Sequence, residues 1–335
     1  MADAPRRPLL LLVNPASGGK PASPGDDEPR LGPDELRAAL ADDGLEVSLR
    51  LLAESDDPGR LAAVAARDGN DVVVAGGDGT VRPVAASLIG SERSLGVIPR
   101  GSWNNIATGW GVPGNEREAL RVIRDANRRL VDAGVAWHPT ADDPEDADPP
   151  DDATVFFEAA GVGLDAEGFG AVEVGTRYGA WRAVRAAWRA LRRRRTRMQV
   201  TADGRRLSTG APAITAFNGP HYGFGMALAP DANPADGLLD LVVFSGMSTF
   251  DVLRHYLAVA RNRPRREPRV KHLAVRRVRI VGAHRVLPAH ADGESLGVTP
   301  VAFAVRPSAV RIFADAPQAP GNPVAAAASA PSARP

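Results

Sequence analysis

The stretch Val72-Val-Val-Ala-Gly-Gly-Asp-Gly-Thr-Val-Arg-Pro83 decides the fold of this chain. A β-branched run, Asp71–Ala75, reads as a fully buried strand. Gly76-Gly77-Asp78-Gly79-Thr80 then turns the chain into a helix that runs to about Leu88. Glycines let a backbone approach a phosphate closely, and a helix N-terminus offers that anion free N–H groups. Thr80 is read as the helix cap, with Pro83 in the first turn, where a missing N–H costs little. Asp78 is the one carboxylate in the loop, and it would repel a phosphate unless a cation or water lay between. A tight turn alone would need two glycines. Three with an embedded Asp favour a phosphate site.

Outward from this stretch the same alternation continues. Pro8–Val13, Leu45–Leu52 and Leu95–Pro99 read as strands. Asp34–Asp43 and Asp57–Asp68 read as helices, the second opened by Asp57 as N-cap and Pro58 at the first position. Strand–helix alternation predicts a doubly wound, Rossmann-like α/β domain over residues 8–127. Two further turns follow strands: Asn14-Pro-Ala-Ser-Gly-Gly19 and Pro99-Arg-Gly-Ser-Trp-Asn-Asn105. Three such turns at strand carboxyl ends converge on the crevice where open α/β sheets bind ligands.

Beyond about Asn127 the pattern becomes strand after strand. Arg129–Trp137, Thr154–Gly161, Met198–Thr201, Ala213–Asn218, Asp240–Phe244, Leu273–Val281 and Val301–Val305 predict an antiparallel β-sandwich over 128–314. Residues 141–152 are a solvated acidic loop within it. Residues 1–7 and the Ala/Pro-rich 315–335 are read as flexible tails. His290-Ala-Asp-Gly-Glu294 places two carboxylates about one glycine, which by itself is the tip of a hairpin.

Composition narrows the function. The 335 residues carry 41 Lys and Arg against 40 Asp and Glu, so no global basic field draws the chain to nucleic acid. The absence of Cys excludes disulfides, thiol nucleophiles and thiolate zinc sites. Lys20 and Lys271 are the only lysines, which leaves a P-loop lysine almost without candidates. The Leu9–Val13 run is too short for a signal peptide, and no stretch approaches a membrane span. The expectation is a cytoplasmic protein.

Taken in order, NPASGG, GGDGT, PRGSWNN and the late DGE resemble the diacylglycerol kinase/sphingosine kinase-like lipid kinases. Ala160–Ala166, Phe217-Asn218-Gly219 and Pro230–Leu239 (PDANPADGLL) extend the resemblance from about Leu9 to Phe313. It implies two domains, the first NAD kinase/phosphofructokinase-like and carrying ATP, the second carrying the lipid side, with the site in the cleft between. It implies that Asn14, Gly76, Gly77, Asp78, Gly79, Thr80, Arg82 and Ser102 contact the nucleotide. Asp292 would accept the proton of the lipid hydroxyl, with Glu294 beside it. Asp236 would bind Mg²⁺ by its side chain, and Asn233 and Leu238 by backbone carbonyls. The lipid would be met at the inner membrane surface, and a homodimer is compatible with the sequence.

Five positions depart from the family pattern. Arg82 and Pro83 stand where the family commonly reads Asn and Glu. Ser102 and Asn105 stand where it often reads Thr and Asp. Leu52 replaces a common Thr. The rival readings are an NAD-kinase-like enzyme, which shares GGDGT but lacks NPASGG and DGE, and a non-catalytic nucleotide or lipid binder. Tyr178–Arg195 reads as a long helix with Trp181 and Trp188 among arginines, and Arg192–Arg197 form a basic cluster. Such a helix can lie on an anionic membrane, though most amphipathic helices pack on a core.

Overall fold

The computed structural model describes residues 7–17, 30–41, 44–140, 142–145, 147–164, 197–261 and 267–315. The helix read at Tyr178–Arg195, the arginines of its cluster before Arg197, Gly18 and Gly19, and the tail from residue 316 lie outside them.

Four parallel strands come first: β1 (Leu9–Val13), β2 (Val47–Leu51), β3 (Asp71–Gly76) and β4 (Ser94–Pro99). They are ordered β2-β1-β3-β4. Between them run α1 (Pro33–Ala41), α2 (Pro58–Arg67) and α3 (Asp78–Ser87), and after β4 come α4 (Asn105–Gly109) and α5 (Glu116–Arg124). β3 and β4 are buried along their whole length because helices cover both faces. Leu36, Leu40, Leu120 and Ile123 pack on one face, and Ala62, Ala65, Val81 and Val84 on the other. The strand order reverses between β1 and β3, so the loops after these two strands part there and open a crevice.

Asp57 caps α2 as expected, its side chain accepting the Arg60 N–H at 3.1 Å. The start of α3 differs from the sequence reading. Its N-cap is Gly77, and no side chain caps it. Thr80 is the third helical residue, and its hydroxyl instead accepts from the Asn14 amide at 2.9 Å. Pro83 is the sixth residue and lies in the second turn, where its missing N–H deprives the Gly79 carbonyl of its helical donor.

The second half supplies β5 (Arg128–Trp137), β6 (Thr154–Phe156), β7 (Ala159–Gly163), β8 (Arg197–Ala202), β9 (Arg205–Gly210), β10 (Ala213–Phe217) and β11 (Leu239–Phe244). After α6 (Thr249–Ala260) follow β12 (Val270–Val275), β13 (Arg277–Gly282), β14 (Pro288–Ala291), β15 (Glu294–Val298) and β16 (Val301–Phe313). One antiparallel sheet runs β12-β11-β10-β7-β14-β15. It packs through Ile214, Leu241, Val278, Ile280 and Phe303 on the other sheet, which carries β13, β8 and β9.

Two runs that read as single strands are each two. Thr154–Gly161 breaks at Phe157-Glu158, with β6 in one sheet and β7 in the other. Leu273–Val281 breaks at Arg276 between β12 and β13 in the same manner. In both, the hydrophobic run continues across the break because each side faces a core.

β16 belongs to both domains. Its first half pairs with β13, its residues Arg311 and Ile312 pair in parallel with β4, and β5 pairs with both halves. The sandwich sheet and the α/β sheet are therefore one ten-stranded sheet. The register shifts between Arg306 and Val310, where Ser308 adopts a left-handed φ of 53°. Asp132, 2% exposed, holds this joint. Its carboxylate accepts the N–H groups of Gly237 and Ser308, each at 2.7 Å, and its own N–H donates to Pro234. Asp132→Ala would strand two donors that now serve a carboxylate. We expect it to cost roughly 3 kcal/mol or more, since hydrogen bonds to charged groups contribute about 1.5–3 kcal/mol each. Chemical denaturation measures it, and wild-type stability would refute the joint.

Candidate active site

The turns after β3 and β4 touch backbone to backbone. A Cβ on Gly77 would come within 2.8 Å of the Gly101 Cα, and a Cβ on Gly101 within 2.7 Å of the Gly77 Cα. Gly76 is closed in as well, since its Cβ would stand 2.9 Å from that of Thr80. Gly79 differs: a Cβ there meets nothing within 4 Å, and its φ is ordinary. Gly76 and Gly77 are thus needed for packing, whereas Gly79 is exposed at the start of α3 with room above it. The Asn14–Thr80 hydrogen bond spans the switch point and ties the β1 turn to this helix.

The Asp78 side chain turns towards α4. Its two oxygens accept the N–H groups of Asn105 and Ile106, each at 3.1 Å, which caps α4. Burial raises its pKa, and those N–H donors oppose the rise. Ser102 is exposed in the turn before α4. Arg100 fixes that turn from behind through a buried ion pair with Glu116 at 2.9 Å.

The second domain brings three carboxylates to the same cleft. Asp292 and Gly293 form the tip of the β14–β15 hairpin with φ of 46° and 80°, the left-handed pair of a type I′ turn. The hairpin reading of DGE is therefore correct as a description of the backbone. The Asp292 side chain reaches across to the β6–β7 break. It accepts N–H groups from Phe157 at 2.8 Å, Glu158 at 2.9 Å and Ala159 at 3.0 Å, and its own N–H donates to the Ala159 carbonyl. Burial raises its pKa, while the three donors and the Arg82 charge pull it down. Glu294, expected beside it, is ion-paired with Arg82 of α3. Arg82 thus meets a carboxylate of the second domain.

Sequence reasoning missed Glu158, hidden inside an apparent continuous strand. It accepts the Asn105 side-chain amide at 2.8 Å, and the same amide donates to the Gly223 carbonyl at 2.8 Å. Burial, then the charges of Asp292 and Asp78, push its pKa well above the ordinary glutamate range. A glutamate between two apolar residues in a β run was the available signal.

The proposed metal residues lie elsewhere. Asp236 borders a groove with Asp203, Arg276, Arg277 and Arg306. Asn233 and Asp236 accept the N–H groups of Ala235 and Leu238 at 3.2 and 2.9 Å. Burial and the nearby Asp132 raise the pKa of Asp236, and burial and Asp236 raise that of Asp240. All-oxygen donors under like-charge crowding suit a hard cation. Among the described residues, though, no three His, Asp or Glu side chains gather closely enough to hold one.

Two expectations follow. Gly77→Ala should destabilise the fold by forcing the two turns apart. Gly79→Ala should leave thermal stability intact and weaken ATP binding, because its methyl group would stand where a phosphate approaches. Calorimetry of both variants separates the roles, and equal melting temperatures would reject the assignment. Glu158 gives the second expectation. With its folded pKa raised above the unfolded value of about 4.3, its contribution to stability is present below that value and lost as pH rises through the folded pKa. Glu158→Gln should therefore be more stable than wild type at pH 8, with the difference gone by about pH 4. Denaturant titrations at the two pH values test it, and an unchanged or lower stability at pH 8 would refute it.

Comparison with known proteins adds an independent view. Residues 8–136 match the model of the diacylglycerol kinase catalytic domain, and 159–314 that of the YegS C-terminal NAD kinase beta sandwich-like domain. A relative described as "probable lipid kinase YegS-like" from Klebsiella pneumoniae is 29% identical over 265 residues, 76% of this chain and 80% of the relative. One of the same description from Chromohalobacter salexigens is 29% identical over 284 residues, 78% and 82% of the two chains. Among solved structures, a diacylglycerol kinase from Bacillus anthracis superposes with a TM-score of 0.67 and 18% identity, over 93% of this chain and 98% of that one. That likeness shows a shared fold.

Proposed function

The chain belongs to the diacylglycerol kinase-like lipid kinases, carrying that family's catalytic domain followed by a YegS-type C-terminal domain, and we propose that it transfers the γ-phosphoryl group of Mg-ATP to the hydroxyl of a diacylglycerol-like membrane lipid. The observation that carries this reading is the convergence in one cleft. The uncapped N-terminus of α3 comes from the first domain, and the carboxylates Glu158, Asp292 and Glu294 from the second.

Phosphoryl transfer needs positioning and charge stabilisation more than covalent help from the protein. ATP phosphates would lie over Gly79, where the N–H groups and dipole of α3 meet them. Asn14, Thr80, Gly76, Gly77 and Ser102 shape that seat. Asp78, turned towards α4, does not repel the phosphates directly. Arg82 and Glu294 close the floor of the cleft between the domains. Asp292, with both oxygens accepting backbone N–H groups, fixes the strand break that faces the acceptor, which makes it a positioning carboxylate. Its Oδ2 accepts a single N–H, from Phe157, which leaves a lone pair for the proton of the acceptor hydroxyl, the base role that the resemblance implies for Asp292. Mg²⁺ bound with ATP would supply charge neutralisation at the phosphates, whereas Asp236, with the carbonyls of Asn233 and Leu238, would hold a separate, structural Mg²⁺ in its own groove.

Incubation with γ-labelled ATP and a panel of diacylglycerol, phosphatidylglycerol and ceramide, each in mixed micelles, tests the proposal. Label should enter a lipid, and only with Mg²⁺ present. Label appearing in NADP⁺ when NAD⁺ is added, with none in lipid, would replace this reading with the NAD-kinase one.

A further inference from the structure

We propose that Trp103 and Phe224, one ring from each domain, receive the hydrocarbon chain of the lipid acceptor where it leaves the cleft, and so set which acceptors are used. This rests on the lipid-kinase reading above. Trp103 lies in the turn between β4 and α4, one residue after Ser102, and Phe224 lies in the loop between β10 and β11. Among the described residues, Trp103, Phe224 and Phe250 are the Trp, Tyr and Phe side chains that stand exposed, the first two at 52% and 40%. Exposed rings of this size are apolar area that a ligand can take out of water.

Both rings are held in place. They meet edge to face, with centroids 6.0 Å apart and planes at 77°. Phe224 stands at the tip of a tight hairpin closed by Tyr222 and Met226, whose N–H groups donate to each other's carbonyls at 3.0 and 3.1 Å. Gly223 and Gly225 flank it with left-handed φ of 60° and 72°. Gly225 lies against the indole, since a Cβ there would come within 3.0 Å of the Trp103 Cε3. Gly223 ties the same hairpin to the cleft. Its carbonyl accepts the Asn105 amide at 2.8 Å, and its N–H donates to Glu158. The Glu158 N–H is in turn held by Asp292. Phe224 is thus one residue from Gly223, and Trp103 two from Asn105, beside the carboxylates where the reading above puts the acceptor hydroxyl.

The geometry favours a chain over a base. An adenine held between two aromatic rings needs them near parallel, and planes at 77° leave no such slot. Methylene groups pack on the face or the edge of a ring alike, because the hydrophobic effect and dispersion have no preferred direction. The pair also has the right placing, with one wall from the domain of the phosphate turns and the other from the domain of Glu158 and Asp292. A hydroxyl carried into the cleft trails its hydrocarbon outwards. Two rings at the rim cover that hydrocarbon from water where it leaves the protein.

The test is the preference for dioleoylglycerol over dihexanoylglycerol, read as the ratio of their kcat/KM values in mixed micelles. Trp103→Ala and Phe224→Ala should each lower that ratio by about tenfold, the effect of leaving roughly 60 Å² of hydrocarbon uncovered. The Kd for ATP should stay within about twofold of wild type, and Trp103→Phe should keep the ratio within about threefold. In wild type, a diacylglycerol brominated along its chains should quench a part of the indole fluorescence that Trp103→Phe lacks. This measurement decides if the alanine variants fail to fold, because both proteins it compares keep a ring at the rim. Four results would each overturn the assignment and leave the lipid-kinase reading standing. They are an unchanged ratio in folded alanine variants, equal losses on both acceptors, which mark a structural clasp, a raised Kd for ATP with the ratio kept, which marks a stacked base, and equal quenching in wild type and Trp103→Phe. A wild type that labels no lipid would overturn that reading and this inference with it.

Discussion

Three backbone N–H groups donating into the Asp292 carboxylate fix the point where the chain crosses from one sheet of the sandwich to the other. The cleft is built on that crossing. Glu158 lies within it, Asn105 reaches it from the first domain, and the Glu294–Arg82 pair closes beside it. The interaction is strong because an ionised acceptor meets donors that a strand break would otherwise leave open. It also carries a cost, for a carboxylate buried near two others is held against its own desolvation. The site therefore combines a rigid backbone with strained charges, which is the usual signature of groups selected for work rather than for stability.

The departures from the family pattern become intelligible in this setting. Arg82 adds a positive charge to the first domain, and Glu294 of the second is there to meet it. Asn105 removes a negative charge, and Glu158 supplies one at hydrogen-bond distance.

The first domain was legible because its signals are local. A β-branched run, a glycine turn and an amphipathic helix follow one another within twenty residues, and the switch point follows from their order. The start of α3 was misread by three residues, since Thr80 has the chemistry of a cap and its true partner, Asn14, is far away in sequence. The second domain was legible only as strands. Nothing local tells a strand that continues from one that changes sheets when both halves face a core, so Phe157-Glu158 and Arg276 passed as strand interior. The carboxylates that mark those breaks sit at hairpin tips more than seventy residues away. Glu158 was lost for the same reason, as its place beside Asn105 depends on a crossing that only the tertiary structure shows.

The long strand β16 has a consequence for how the molecule comes into being. Its last residues fill the sheet position beside β4, so the α/β half is left with an open edge until the ribosome has delivered nearly all of the described chain. A half-sheet with a free, apolar edge is prone to pair with the wrong partner while it waits. Synthesis in vivo thus imposes a delay that the order of the domains would not suggest. The α/β half is made first, but its sheet is completed last.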